Sequence, residues 1–165
     1  GPDQNTVLSW EQICDSFDAD YYMLAGDEVT FETPGWDKKF DETKQKYPDG
    51  IFCMSMYCGR GQSRLNENVT PVVTKQWRQA LGYFWGPMFW HWNVDQWSGD
   101  LAKAIDRFEY RSDITVRIKK IKKDPTGLRN RSAGIFNRDE WTYKRCKEIY
   151  FPGDVEKLRR AIKQS

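Results

Sequence analysis

The chain has 165 residues, 39% of them hydrophobic and 15% aromatic, enough to bury the core of one packed domain. Its 26 Lys and Arg against 24 Asp and Glu leave a net charge of +2, so no bulk field marks nucleic acid or an anionic membrane surface as a partner. No apolar run reaches membrane-span length and no charged-then-apolar leader opens the chain, so a soluble, unexported, cytoplasmic protein is expected, with residues 1–7 a disordered or tag-derived start. Cys14, Cys53, Cys58 and Cys146 have neither C-x-x-C spacing nor a nearby His cluster, which points away from zinc and toward reduced, mostly buried thiols.

Taken in chain order, Ser9-Trp-Glu-Gln12 reads as a capping box that opens a helix, with Leu8 and Ile13 stapled across it. The apolar run from Tyr21 to Ala25 reads as a buried strand ending in Gly26-Asp27-Glu28. After the Pro34-Gly35 turn, Trp36 to Lys46 is a charged helical segment, and Ile51 to Tyr57 is a second strand. Thr74 caps a helix that carries Trp77, Ala80 and Leu81 inward and stops at Gly82. A further helix runs from about Asp95 to Arg107 with an apolar stripe of Trp97, Leu101, Ala104, Ile105 and Phe108. Ile114 to Ile118 alternates as a strand, Pro125 to Gly134 reads as loop, and two amphipathic helices, about Asn137 to Tyr150 and Gly153 to Lys163, close the chain. The class is α/β.

A strand that delivers carboxylates at its C-terminal end is a common way for α/β enzymes to build a metal or phosphate site. The stretch from Tyr21 to Asp37, with its acids followed by Phe31-Glu-Thr-Pro-Gly-Trp-Asp37, resembles the metal-binding region of GT-A-type glycosyltransferases. Within that fold the likeness is to a bacterial and phage-like group whose strand end reads roughly Asp-Asp-Asp-hydrophobic-x-Phe-x-Thr-Pro-Gly-Trp-Asp. It continues in the family's order through Ala80-Leu-Gly-Tyr-Phe84, His91-Trp-Asn-Val-Asp-Gln-Trp97, Asp100-Leu101 and Arg107-Phe108, and covers roughly Leu8 to Tyr143. The matching part is the second half of such an enzyme. The family's Rossmann-like first half, about a hundred residues that hold most of the nucleotide, has no counterpart before the acidic strand.

The resemblance implies one GT-A-like domain over residues 1–165, partial or minimal: a three-layer αβα arrangement with a small mixed sheet, closed by C-terminal helices at 137–165. It implies a hexosyltransferase that uses a nucleotide-diphosphate sugar and a glycan or other acceptor. Asp27 and Glu28 would hold Mn²⁺ or Mg²⁺ at the pyrophosphate, and Asp27, Thr33, Trp36, Trp90, His91 and Trp92 would contact substrate. Asp95 would take the acceptor proton, with Asp100 second.

Two departures bear on this. Gly26 replaces the first of the family's three acids and Glu28 the last, so the Asp-x-Asp clamp is degenerate. In addition, Val116 to Lys123 lacks the family's histidines, and Lys119 and Lys120 would have to supply the cationic charge, unless that run is simply a solvated strand edge. Asp95 serves equally well as a helix-start acid. Two other readings stay open: a non-catalytic GT-A-derived binding or assembly module, and one subunit of a split transferase whose nucleotide-binding half is a separate chain.

Overall fold

The computed structural model describes residues 5–26, 28–58, 70–118 and 125–164. Helix α1 (Thr6–Asp15) is capped by Asn5, whose side-chain oxygen accepts the Leu8 N–H at 3.1 Å. The capping-box reading at Ser9 is therefore corrected: Ser9 lies inside the helix, with its hydroxyl bonded to the Asn5 carbonyl. Asn caps as well as Ser, and starting a turn earlier carries Val7 into the core. Leu8 and Ile13 form no staple, being 46% and 58% exposed.

The acidic segment is not one strand, which corrects a second expectation. Strand β1 (Tyr21–Met23) ends before the acids, the chain turns at Glu28, and β2 (Val29–Phe31) follows. Then come α2 (Lys38–Lys46), β3 (Cys53–Tyr57), β4 (Val72–Thr74), α3 (Lys75–Leu81), α4 (Val94–Ala104) and β5 (Phe108–Ile118). Helices α5 (Pro125–Ser132), α6 (Ile135–Ile149) and α7 (Phe151–Gln164) complete the described chain. Pro125 to Gly134 is thus mostly helix rather than loop. Proline suits a first helical turn, and α5 is held by packing on α6, which local polarity does not reveal.

The five strands form one sheet in the order β1-β4-β3-β5-β2. Strand β4 runs antiparallel to β1 and β3, and β2 antiparallel to β5, while β3 and β5 are parallel. Strands β1, β3 and β5 consequently share a direction. A bulge between Met56 and Tyr57 lets the long β5 bend, so its first half pairs with β3 and its second half with β2.

Alternation along the strands sends side chains to two cores. On one face Tyr22, Cys53 and Val73 join Val7, Trp77, Trp97, Leu101 and Leu158 from the helices and Phe84 from the loop after α3. On the other, Met54, Met56, Val72, Ile114 and Val116 meet Phe40 of α2, with Phe31 and Trp36 at the margin. Helices therefore cover both faces of a mixed sheet. No described helix is long and apolar enough to cross a membrane.

Candidate functional site

In open α/β sheets, ligands sit beyond the carboxyl ends of the parallel strands. Here the acidic turn lies beyond the carboxyl end of β1. Leu24 N–H bonds the Pro71 carbonyl at 2.9 Å, just before β4, and Val29 N–H bonds the Gly26 carbonyl at 3.1 Å. These bonds carry the chain past the ends of β4 and β3 toward β5. The Glu28 carboxylate is half-buried and folds back over Gly26, so close that a Cβ at Gly26 would collide with it. The missing side chain at residue 26 is what allows Glu28 this position. Asp27, Lys119 and Lys120 lie outside the described residues.

Two motif residues beside the turn serve the sheet. The Thr33 hydroxyl accepts the Thr115 N–H at 2.8 Å, extending the β2–β5 ladder past its last strand pair. Trp36 stacks on Phe31, ring centroids 3.8 Å apart, and meets Phe40 edge-on. Arg117 forms an ion pair with Glu32.

The second contribution comes from the aromatic loop between α3 and α4. Helix α1 ends beside the amino end of β1, where Asp15 pairs with Arg78 and Asp18 with Lys75, and α4 ends where Arg107 leads into β5. The start of each helix lies about 15 Å from that end. Trp90 lies beside the start of α1, its carbonyl accepting the Thr6 N–H at 3.0 Å.

The loop is gripped from below by Asp139 of α6, which is fully buried and accepts backbone N–H bonds from Trp90 at 3.0 Å and from His91 and Trp92 at 2.8 Å each. Asn93 follows with a left-handed backbone, φ 68°, and its amide donates to Glu140 at 3.0 Å. That bend starts α4 and sets Asp95 in its first turn, where one carboxylate oxygen accepts the Gln96 N–H at 2.8 Å. Asp95 is only partly buried. The His91 ring lies edge-on to Trp92 at 4.6 Å and 6.0 Å from Trp10.

The helix expected from about Asp95 to Arg107 runs over Val94–Ala104, which puts Asp100 in its second half. Asp100 pairs with Lys147 at 2.8 Å and accepts the Tyr143 hydroxyl, tying α4 to α6. Burial and the neighbouring Asp100 carboxylate push the Tyr143 phenol above its usual range. A similar clasp joins α4 to α7, where the buried Tyr83 hydroxyl donates to Asp154 at 2.5 Å and accepts Trp97 Nε1–H at 3.0 Å.

Sequence reading had missed Asp139, Arg131 and Arg138. Arg138 Cζ lies 3.6 Å from the centre of the Trp90 ring, and Arg131 Cζ lies 5.7 Å from that of Trp92 and 5.2 Å from Phe136. Nothing in the local pattern separates Asp139 from a solvated helix acid, because its partners are about fifty residues away in sequence.

A groove of ≈650 Å³, lined by Cys14, Phe17, Lys75 and Arg78 among others, opens by the amino end of β1. Burial pushes the Cys14 thiol up, which suits an inert sulfur rather than a nucleophile. Among the described residues no group of three His, Cys, Asp or Glu side chains could hold a metal ion. No protein-family model, curated protein or solved structure matches the chain.

Proposed function

We propose that the chain is a GT-A-like glycosyltransferase that moves a hexose from a nucleotide-diphosphate sugar to a hydroxyl acceptor. The reading rests on the ordered motif blocks and, above all, on one structural observation. Glu28 lies on a turn beyond the carboxyl end of β1, where α/β sheets take their ligands, and more than sixty positions on the aromatic loop leads into α4 with Asp95 in its first turn. In this reading the acceptor oxygen attacks the anomeric carbon while the bond from that carbon to the diphosphate oxygen breaks. The hydroxyl proton passes to Asp95, and the bonding pair leaves with the nucleoside diphosphate. Trp90, His91 and Trp92 are the aromatic residues that this reading assigns to the sugar.

Asp95→Asn tests the assignment. Asn remains a good residue at a helix start, so melting should be unchanged while sugar transfer falls by about a hundredfold or more. Undiminished transfer would remove Asp95 as the base. Calorimetry with nucleotide sugars, with and without Mn²⁺, tests the donor side: Mn²⁺-dependent binding gives Asp27 and Glu28 the ligand role, and metal-independent binding gives the charge to the run containing Lys119 and Lys120.

A second reading, a split enzyme whose nucleotide-binding half is another chain, draws on a different observation. Strand β1 is an edge strand of the sheet, and the neighbouring α1 region exposes Leu8, Ile13 and Phe17.

A further inference from the structure

The rim beside Asp95 carries charge of one sign. Residues 125–147 contain six Lys and Arg and two acids, and both acids are turned inward: Asp139 to the backbone of the aromatic loop and Glu140 to Asn93. Arg145 pairs with Glu148 and Lys147 with Asp100. Arg131 and Arg138 are exposed, and their guanidinium groups make no ion pair or hydrogen bond among the described residues. They rest on aromatic rings, Arg138 over Trp90 of the loop, and Arg131 over Trp92 of the loop and Phe136 of α6.

A guanidinium resting on an indole face loses little conformational freedom on binding and keeps its N–H donors for a partner beyond the ring. Carboxylate and phosphate match that fork with two parallel hydrogen bonds. The two tryptophans under the arginines belong to a loop whose three consecutive N–H groups are fixed by Asp139, so rings and cations are presented together on a rigid base.

We propose that Arg131 and Arg138, supported on the rings of Trp90, Trp92 and Phe136, form a subsite for an anionic sugar, a pyranose whose carboxylate or phosphate engages the guanidinium forks. That this sugar belongs to the acceptor rests on the transferase reading. Its chemistry rests on the rings and arginines alone.

The test is calorimetry on the full chain at low salt, without donor, using a galacturonate hexamer, glucose 6-phosphate and a neutral glucose hexamer. The acidic ligands should bind at least about tenfold more tightly than the neutral one. In the double variant Arg131→Gln, Arg138→Gln the preference should vanish with melting unchanged. Arg138→Lys keeps the charge but loses the planar fork, and should fall between. The tighter of the two acidic ligands assigns carboxylate or phosphate.

Equal affinity for acidic and neutral sugars, no binding of any of them, or a preference that survives the double variant overturns the subsite. So does tighter binding of oligothymidylate or of phosphatidylserine vesicles, which would make the face a nucleic-acid or membrane surface. Sugar transfer that persists without acidic preference sinks the subsite and leaves the transferase, while acidic binding without any transfer does the reverse.

Discussion

Asp139 makes a connection that no local pattern announces, because one carboxylate replaces the secondary structure that Trp90, His91 and Trp92 lack. Removing it leaves those N–H groups without their acceptor inside a packed region. Asp139→Ala should therefore cost about 3 kcal/mol, read as a lower denaturation midpoint with an unchanged slope. Asp139→Asn, which retains one acceptor oxygen, should cost clearly less. Equal losses for the two would mean that the site needs charge and not acceptors.

Thr74 is the opposite case, fully legible in sequence. Its hydroxyl accepts the Trp77 N–H at 3.1 Å, and Gly82 closes the same short helix with φ 88°. Both signals act within a few residues of where they are written. The error at Ser9 came from the same chemistry, since two adequate caps four residues apart compete and burial of Val7 chooses Asn5.

Elements are joined by charge as much as by packing. Arg111 of β5 is buried under α2, bonded to the Thr43 hydroxyl at 2.9 Å, the Lys39 carbonyl at 2.6 Å, Glu42 at 2.6 Å and Asp113 through two contacts of 2.7 Å. The Arg111 guanidinium, helped by Lys39, holds the Asp113 carboxyl well below the usual carboxylate range.

A depressed folded-state value means stability that is fully present above the ordinary carboxyl pKa, near 3.9, and lost as pH falls through the folded value. Asp113→Asn should thus lower stability at neutral pH and converge on the unmodified protein in strong acid. Because the Asp113 side chain is 45% exposed, screening limits the neutral-pH effect to about 1 kcal/mol. Urea melts across the acid range would show it. A constant difference at every pH would assign the loss to packing.

At the scale of the whole molecule the sheet is covered on both faces and ends in β1 and β2 as edge strands. Ile13 and Phe17 are 58% and 66% exposed beside edge strand β1. The double variant Ile13→Glu, Phe17→Ser should leave melting within about 0.5 kcal/mol, as expected for solvent-facing positions. It should also abolish any association of the chain that sedimentation detects in the unmodified protein. A large drop in melting would place these side chains in the core instead.

The α/β class, the helix at Thr74 with its stop at Gly82, the charged helix after Pro34-Gly35 and the two closing helices were determined by the sequence itself, because caps, turns and hydrophobic periods act over one or two helical turns. Only the tertiary structure decided that Glu28 lies on a turn between opposite edges of the sheet, that Asp100 clasps α6, that residues 125–132 are helical, and that Asp139 carries the aromatic loop. Each of these depends on partners tens of residues away. Their energies come from pairing and burial that exist only once the chain has closed on itself.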